Sequence, residues 1–342
     1  FYKSLLDVDS SEEWQRQASE TSTAEGRREA PVAPAPSNTR VWESVGAASD
    51  PTDENSLKFK VMSYNVLAQG LLESHSYLYA KCDPKYLQWE VRAESLYKEI
   101  TNLSPDILCL QEVQSSHLSS FYSKFEKIGY FIAFKKKTGD TLIDGCAICF
   151  KRSVFKLCEN VYNVEFHQPK VQYLDRHHVG IIVKLTPLSL PHAPIVVATT
   201  HLLYNPRRDD VRLAQMKLFL AEIDRVAYFS NDRESGYLPI ILTGDFNSKP
   251  NSPIIKLLEV GWTRQVWNFD MWKKIGNETS TSERWILVDY MYYSSGSGLK
   301  LLERLSLLSF NECKRGGLPN DMFGSDHLAL AAVFEYRPNK RS

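Results

Sequence analysis

The sequence predicts an α/β fold, and three observations lead to this prediction. The 342 residues are 43% hydrophobic and carry 41 basic and 41 acidic side chains, which excludes a wholly disordered chain. From Phe59 onward, apolar runs of strand length alternate with longer amphipathic segments. Polar and acidic side chains stand where many of the apolar runs end, as they do at the sheet rims of α/β folds.

The apolar runs predict strands, and the amphipathic segments predict helices. The helix Val211–Phe229 is the best supported, because Asp209 and Asp210 stand at its start and apolar residues follow at helical spacing. The other expected helices are Trp89–Asn102, His117–Ile128 and Ser252–Glu259. The expected strands are Phe59–Asn65, Ile107–Gln111, Cys146–Phe150, Val179–Leu185, Ile195–Thr200, Ile240–Thr243, Val288–Tyr293 and Leu328–Tyr336.

The N-terminal stretch differs in composition from the rest of the chain. Residues 1–56 are rich in Ser, Glu, Ala, Pro and Arg and lack sustained periodicity, so they predict a disordered tail. Within this stretch, Trp42 either docks on the folded body or remains an isolated exposed aromatic residue. Residues 57–337 are expected to form one folded domain, followed by a short C-terminal tail at 338–342.

Composition also bears on cellular location and on partners. No apolar run approaches the roughly 20 residues that span a bilayer, and the N-terminus turns acidic too early for a signal peptide, so no membrane association is expected. Cys109, Cys146 and Cys149 lie in apolar strand-like runs, which favours reduced thiols in an intracellular protein of the cytoplasm or nucleus. With a pI near 7.2, nucleic-acid contacts must come from a local patch.

The candidate functional residues recur at or beside the apolar runs. They are Asn65, Glu112, His201, Asp245, Asn247, Asp289, Asp326 and His327. An unpaired charge in a buried strand costs several kcal/mol, so this recurrence predicts that the side chains converge at one sheet rim. Oxygen ligands of this kind suit Mg²⁺, and the histidines suit contacts to a phosphoryl group, so the set indicates metal-assisted phosphoester hydrolysis.

Each of these residues also has a structural explanation of its own. Asp245 and Asn247 could cap a turn, and Asp289 could be a satisfied acid of the core. Asp326 could cap the turn that precedes a surface His327. The joint pattern is harder to explain by independent turn chemistry, so convergence at one site remains the favoured interpretation.

Six motifs in this order resemble the exonuclease-endonuclease-phosphatase superfamily. They are Ser63-Tyr64-Asn65, Leu110-Gln111-Glu112-Val113, Thr200-His201-Leu202, Gly244-Asp245-Phe246-Asn247-Ser248, Val288-Asp289-Tyr290 and Ser325-Asp326-His327. The resemblance covers roughly residues 57–337, which makes that segment the catalytic domain. Further stretches beginning at Met62, Asp144 and His201 resemble the deadenylase and nocturnin branch, and within it the Angel proteins.

The resemblance implies a four-layer αββα sandwich of two packed mixed sheets, with the site at one rim. It implies Glu112 as the main Mg²⁺ ligand, helped by Asn65 and Asp326, with Mn²⁺ as an alternative ion. RNA 3′ ends are the implied substrate. The reaction is either 3′-to-5′ removal of adenylates or hydrolysis of a terminal 2′,3′-cyclic phosphate.

The resemblance also assigns catalytic roles. Asp245 and Asn247 would position and deprotonate the attacking water. His201 would contact the scissile phosphate together with His327, which Asp289 would orient. Each side chain has the chemistry that its assigned role requires.

Substrate contacts are expected around this centre. Pro206 would line the nucleotide pocket, and Arg207 and Arg208 are the candidate phosphate contacts because they follow His201 closely. Asp144, in a stretch shared with the branch, is a further expected contact. Deadenylases carry a Phe shortly before the Asp289 position to stack an adenine, and Trp285 would replace that residue here.

Three departures and neighbouring features affect substrate choice. His177 and His178 stand where relatives commonly carry Asp-Asn, so the contact of that Asn is not carried over. The stretch 261–284 is shorter than the insertion expected in vertebrate Angel proteins. The lysines at 135–137 are also candidate phosphate-backbone contacts, but a solvated charge run is the favoured interpretation.

Two other functions compete with this prediction. Another branch of the superfamily, such as an abasic-site endonuclease or a phosphoinositide phosphatase, is disfavoured because Asp245-Phe246-Asn247-Ser248 differs from the lipid-phosphatase motif. The alternative from a different class is a translation-linked adaptor with weak or no catalysis. In that case the N-terminal tail would bind a protein partner in mRNA metabolism.

Overall fold

The computed structural model of the protein describes residues 40–45, 55–232, 234–260, 272–276, 279–281, 284–294, 296–308 and 317–338. At residues 260, 272–276, 279–281 and 284–285 it describes the backbone and not the side chain. The C-terminal tail from 339 onward and most of the predicted N-terminal tail lie outside these ranges.

The strands are numbered in chain order. They are β1 (Trp42–Ser44), β2 (Leu57–Asn65), β3 (Ile107–Gln114), β4 (Tyr130–Lys136), β5 (Asp144–Lys151), β6 (Phe155–Leu157), β7 (Tyr162–Glu165), β8 (Val179–Pro187), β9 (Ile195–His201), β10 (Tyr228–Ser230), β11 (Ser235–Tyr237), β12 (Ile240–Asp245), β13 (Trp272–Gly276), β14 (Thr279–Thr281), β15 (Arg284–Ile286), β16 (Asp289–Ser294), β17 (Leu299–Leu305) and β18 (Leu330–Tyr336).

The helices are short apart from two. They are α1 (Gln69–Ser74), α2 (Trp89–Leu103), α3 (Ser123–Lys127), α4 (Asp209–Ala227) and α5 (Pro253–Val260). Single turns of 3₁₀ helix occupy Ser76–Tyr79, Pro84–Leu87 and Ser115–His117, and a π-helical turn occupies Leu118–Tyr122.

Two mixed sheets hold most of the described strands. In sheet one the order is β1-β17-β18-β2-β3-β5-β4, and in sheet two it is β13-β16-β12-β9-β8-β6, with β7 also paired to β8. The pairs β2 with β3 and β9 with β12 are parallel, whereas the other pairings within these sheets are antiparallel. Each sheet therefore carries one parallel pair whose carboxyl ends meet at one rim.

Side-chain alternation along the strands separates three cores. On β2, Phe59 and Val61 pack between the sheets, whereas Met62 and Tyr64 pack on the outer face of sheet one. Helix α2 covers that outer face through Leu96. Helices α4 and α5 cover the outer face of sheet two through an apolar set: Met216, Phe219, Leu220, Ile223, Ile254, Ile255 and Leu258. The layers are helix, sheet, sheet and helix, which confirms the predicted αββα sandwich.

Most of the predicted elements are present, and the exceptions have local causes. The predicted helix His117–Ile128 is present as a helical segment over residues 118–127, but its first part, Leu118–Tyr122, is π-helical and only Ser123–Lys127 is α-helical. Strand β4 was not expected because its residues are mostly half-buried and end in a run of lysines. Strand β17 was not expected either. Its buried and exposed side chains do not alternate regularly, since a register shift interrupts its pairing with β18 between Leu301 and Glu303.

The N-terminal boundary requires a correction. Residues 40–45 lie inside the predicted disordered tail, yet β1 pairs antiparallel with β17 at the edge of sheet one. Trp42 packs against the outer core, and the Lys60 ammonium lies 5.1 Å from the centre of its ring. The docked alternative for Trp42 is therefore confirmed, and the prediction of disorder is wrong for these six residues.

The cysteines and helices bear on two further predictions. Cys146 packs between the sheets and Cys149 on the outer face, so the side chains of this C-x-x-C point to opposite faces. Both thiols are free and buried. Among the described residues, no helix is long and apolar enough to cross a membrane.

Candidate active site

The predicted polar residues meet at the rim where the parallel strand pairs end. In sheet one, Asn65 at the end of β2 lies beside Gln111 of β3. In sheet two, Asp245 at the end of β12 lies between His201 of β9 and Asp289 of β16. Strand register alone therefore places three ionisable side chains of sheet two next to one another.

A bulge in β3 turns Glu112 into this rim. The register with β5 shifts between Leu110 and Val113, and Glu112 has a left-handed φ of 57°. Its Oε1 accepts a hydrogen bond from Asn65 Nδ2 at 3.0 Å, and its Oε2 accepts one from the Ala68 amide at 3.0 Å. A residue held in this conformation is typical of functional sites, where the surrounding contacts offset the strain.

Asn65 links the two sheets across the site. Its Nδ2 donates to Glu112 and also to Asp245 Oδ2 at 3.0 Å, while its Oδ1 accepts from the Leu67 amide at 3.1 Å. This geometry makes Asn65 a bridging donor between two carboxylates. A role as metal ligand would require the amide to turn, because its oxygen faces Leu67 and not the centre.

The turn after β12 fixes Asp245. At Gly244, with φ of 149°, an added Cβ would lie 2.1 Å from the Thr200 carbonyl oxygen, so no larger residue fits there. The Asn247 amide donates to Asp245 Oδ1 at 2.9 Å. Burial, followed by the neighbouring charge of Asp289, raises the pKa of Asp245 to about 7.

His201 is held in its neutral form. Asn247 Nδ2 donates to the Leu202 carbonyl and lies 2.9 Å from His201 Nε2, so that ring nitrogen accepts and Nδ1 carries the proton. Burial and the nearby charge of Lys137 hold the pKa of His201 well below its usual range. His201 Nδ1 is buried without a hydrogen-bond partner within the described ranges, which leaves a donor for a substrate oxygen.

His327 has the opposite protonation state. Its Nδ1 lies 2.8 Å from Asp289 Oδ2, and its Nε2 lies 3.7 Å from Asp245 Oδ2. Burial opposes the charge, but the carboxylates of Asp289 and Asp326 outweigh it and raise the pKa of His327 well above its usual value. The site therefore holds a neutral and a protonated imidazole on two sides of one carboxylate.

One oxygen of Asp326 accepts no hydrogen bond from the described residues and lies 3.9 Å from His327 Nε2. Its Oδ2 accepts from the Tyr79 hydroxyl at 2.9 Å, whereas Oδ1 is buried and lacks a hydrogen-bond partner in the part of the chain described. Burial first, and then repulsion from Asp144 and Asp326, raises the pKa of Glu112. Crowded carboxylates with an unused buried oxygen fit a divalent cation, which would relieve both defects.

A second set of possible ligands fits a cation less well. One ligand atom from each of Asp245, Asp289 and His327 lies within 4.8 Å of the others. However, Asp289 and His327 already bind each other through His327 Nδ1. The oxygens of Glu112 and Asp326 are therefore the better candidates for a metal centre.

Comparison with known proteins identifies the family. Residues 62–327 match the model of the Endonuclease/Exonuclease/phosphatase family. The protein angel of Drosophila melanogaster is 38% identical over 317 residues, and this match covers 86% of each chain. The chain belongs to this family, within its Angel group. Human angel homolog 2 is 45% identical over 212 residues, but the match spans 61% of this chain and 38% of the relative.

Solved structures of relatives share the fold. The crystal structure of ANGEL2, a 2′,3′-cyclic phosphatase, with adenosine-2′,3′-vanadate superposes with a TM-score of 0.77 at 35% identity, covering 87% of this Angel-group chain and 99% of that one. The human nocturnin catalytic domain superposes with a TM-score of 0.65 at 24% identity, covering 88% and 98% respectively. The nocturnin match shows a common fold.

The expected substrate residues of this Angel-group chain lie in different surroundings. Pro206 and Arg207 are exposed on the turn after β9, whereas Arg208 pairs with Asp210 at 2.9 Å. Asp144 is buried and pairs with Lys137 Nζ at 2.7 Å. The side chain of Trp285 lies outside the described residues, so its stacking role stays a prediction.

Three supporting side chains were not expected. Lys137 is buried beside the site, so the solvated interpretation of its lysine run is wrong at this position. Tyr79 supports Asp326, and no sequence signal distinguishes it from other tyrosines. Arg92 is buried and donates to the carbonyls of Val66 and Leu67 and, at 2.7 Å, to that of Gly324, which fixes the two loops that carry Asn65 and Asp326. A lone arginine on the buried face of α2 was the available signal.

Proposed function

We propose that the protein is a Mg²⁺-dependent phosphoesterase that hydrolyses the terminal 2′,3′-cyclic phosphate of RNA. The observation that carries this proposal is that Asp245 Oδ2 lies 3.5 Å from Nε2 of the neutral His201, which donates from its other ring nitrogen, Nδ1, and 3.7 Å from Nε2 of the protonated His327. A base beside two hydrogen-bond donors suits attack of water on a phosphate. The ANGEL2 relative, a 2′,3′-cyclic phosphatase, supports the choice of substrate.

Asp245 is the residue proposed to accept the proton of the attacking water. Its raised pKa, about 7, makes the carboxylate a stronger base than an ordinary Asp while leaving it partly ionised at neutral pH. Asn65 and the Asn247 amide bind its two oxygens and thereby fix its orientation. Asn247 contributes through this contact and through its alignment of His201.

The two histidines are proposed to stabilise the phosphoryl oxygens. His327 brings a positive charge, which Asp289 holds in place, so it can donate a charge-assisted hydrogen bond or a proton to the departing ribose oxygen. His201 donates from Nδ1 without adding charge. Donors fixed before the reaction avoid reorganisation as negative charge develops.

Glu112 and Asp326 are proposed to hold the cation, and Asn65 orients Glu112. When bound, Mg²⁺ would polarise a phosphoryl oxygen and offset the charge of the crowded carboxylates.

Two hydrolyses complete the reaction. The first adds water and breaks one ribose P–O bond to give a phosphomonoester, and the second adds water and releases inorganic phosphate, leaving a 2′,3′-diol.

Replacing Asp289 with asparagine is expected to move the whole pH profile of kcat/KM to lower pH. The rate requires Asp245 to be deprotonated and His327 to be protonated. The Asp289 charge raises both pKa values, so its removal lowers both, and the acidic and alkaline limbs each move down by about one pH unit. Asp106→Asn is the control, since Asp106 pairs with Lys151 at 2.9 Å and adjoins the start of β3. Unmoved limbs in Asp289→Asn would contradict the assigned roles.

The proposed reaction is tested on two 5′-labelled RNAs with Mg²⁺, each also incubated with EDTA. One ends in a 2′,3′-cyclic phosphate and the other in oligo(A) with a free 3′-hydroxyl. We expect the first to lose its phosphate without becoming shorter, and EDTA to stop the reaction. Release of inorganic phosphate is measured in parallel.

Three other results would overturn this proposal. Stepwise shortening of the oligo(A) RNA without action on the cyclic phosphate would assign a 3′-to-5′ exoribonuclease instead. Full activity in EDTA would remove the metal from the reaction. Absence of both activities would favour the adaptor function, which a pull-down with and without residues 1–39 then tests.

A further inference from the structure

Two tyrosine rings stand exposed beside the buried catalytic centre. Among the described residues, Tyr204 and Tyr77 are the most exposed large hydrophobic side chains, at 66% and 65%. Single exposed aromatic residues are common on protein surfaces. Two exposed aromatic side chains near one site leave apolar surface in contact with water, which is typical of a surface that binds a ligand. Tyr204 stands three residues beyond His201, and Tyr77 stands two residues before Tyr79.

The loop that carries Tyr204 is held rigidly by buried side chains of α4. Arg212, 2% exposed, donates to the carbonyl of Leu203 at 3.1 Å and to that of Pro206 at 3.2 Å. It also donates to the carbonyl of Asn205. Gln215 Oε1 accepts from the Leu203 amide at 3.1 Å. Backbone contacts thus surround Tyr204 on both sides, so its ring is presented from a preformed position.

Both rings border the same centre. The 3₁₀ turn Ser76–Tyr79 contacts the site through a hydrogen bond that the Tyr79 hydroxyl donates to Asp326 Oδ2 at 2.9 Å. The Tyr204 loop begins at the same centre, because the Leu202 carbonyl accepts a hydrogen bond from Asn247 Nδ2 at 2.9 Å and the Leu202 amide donates to the Asp245 carbonyl at 3.0 Å. Partial desolvation raises the pKa of Tyr204, and Tyr77, Asp326 and Asp245 raise it further.

We propose that Tyr204 is a stacking platform for a nucleobase at the RNA 3′ end, with Tyr77, on the turn that supports Asp326, as a second exposed aromatic residue near the centre. This inference rests on the proposed function and adds to it a contact to the base. Stacking uses the face of the base, which every nucleobase has, so the platform binds RNA ends of different sequence. An aromatic ring on a fixed loop loses little conformational entropy when a base stacks on it.

The test compares RNAs that end in a 2′,3′-cyclic phosphate and differ in one base. One RNA is intact, one is abasic at the terminal nucleotide, and one is abasic at the preceding nucleotide. We expect one of the abasic RNAs to show a KM about tenfold higher than the intact RNA, and its identity locates the stacked base. In Tyr204→Leu this ratio is expected to fall to about one, whereas Tyr204→Phe retains it.

Tyr228→Leu is the matched control, because Tyr228 is 48% exposed on the β10–β11 hairpin. It is expected to keep the wild-type ratio, and thermal melting confirms that all variants fold. Equal KM values for the intact RNA and both abasic RNAs would overturn the proposal. An equal loss in Tyr204→Phe and Tyr204→Leu would also overturn it, since the hydroxyl and not the ring would then be the contact.

Failure of the proposed function is distinguished by a binding measurement. The same three RNAs are prepared with a 3′-hydroxyl and a 5′ fluorophore, and their affinity is measured by anisotropy. Discrimination against an abasic RNA that Tyr204→Leu removes would support the stacking platform even if no phosphate is released. Hydrolysis of the cyclic phosphate without any discrimination would retain the proposed function and reject the platform.

Discussion

Replacing Glu112 with glutamine is expected to lower Mg²⁺-dependent hydrolysis by about 10³-fold. The substitution retains the shape of the side chain and removes the charge that a cation requires. The fold is expected to persist without metal, because burial and repulsion from neighbouring carboxylates already raise the pKa of Glu112. Both Glu112 oxygens accept hydrogen bonds, so glutamine loses one of these contacts, and the removal of a crowded buried charge offsets that loss. The melting temperature of the metal-free variant should therefore stay close to that of the wild type.

Glu335→Gln is the matched control for this variant. Glu335 is a buried residue of β18, and in the strand register it lies opposite Lys58, at the end of β2 away from Asn65. It is expected to retain wild-type kcat/KM. Titration of Mg²⁺ against the melting temperature adds a readout that does not depend on turnover, since the wild type should gain stability from the ion and Glu112→Gln should gain less. An active Glu112→Gln enzyme, or an equal gain, would remove Glu112 from the metal centre.

The polar ends of the buried strands made most of this site predictable. His201 and Asp245 each follow a run of apolar residues, and parallel pairing brings the two ends together without any information beyond strand order. The aspartate of β16 then joins them through antiparallel register with β12. The αββα layers likewise follow from the continuous apolar runs of the strands. Successive side chains point to opposite faces of a sheet, so each sheet has two apolar faces that must be covered.

The parts that sequence did not predict depend on contacts distant along the chain. The left-handed conformation of Glu112 follows from a bulge that its residue type does not favour. Arg92 binds the Gly324 carbonyl, 232 residues away, and Lys137 becomes buried because Asp144 pairs with it. Composition alone cannot separate such a lysine from its solvated neighbours, because the partner decides whether burial is tolerated.

The N-terminal segment shows the same limit and leads to a prediction about stability. Replacing Arg40 with alanine is expected to reduce the free energy of unfolding by about 3–5 kcal/mol. The Arg40 guanidinium lies 3.5 Å from Glu99, and the two side chains are 7% and 12% exposed. Glu99 accepts from Tyr64, the neighbour of Asn65, at 2.9 Å. Burial raises the pKa of Glu99, and the charge of Arg40 lowers it, so without Arg40 the Glu99 carboxylate would lose the cation that stabilises its charged form.

Arg40 also closes the edge of sheet one. It donates to the carbonyl of Ala329 at 2.6 Å, two residues beyond His327, and to that of Ser306 at 2.8 Å. Removing its side chain leaves the Ala329 carbonyl, close to His327, without this donor, and it also removes the cation beside Glu99, which binds the Tyr64 hydroxyl next to Asn65. The loss should therefore be seen in chemical unfolding and also in the rate of hydrolysis at temperatures where the protein remains folded.

A double-mutant cycle separates the buried pair from the rest of the strand. Adding Glu99→Gln to Arg40→Ala is expected to recover part of the lost stability, because no buried charge then lacks its partner. The exposed pair Arg304 and Glu43, which joins β17 to β1 at 2.8 Å with side chains 51% and 45% exposed, is the control. Arg304→Ala is expected to cost less than about 1 kcal/mol. Equal losses of stability in Arg40→Ala and Arg304→Ala would show that β1 contributes only its strand pairing at the edge of the sheet. No loss of stability in either variant would show that residues 40–45 belong to the disordered tail.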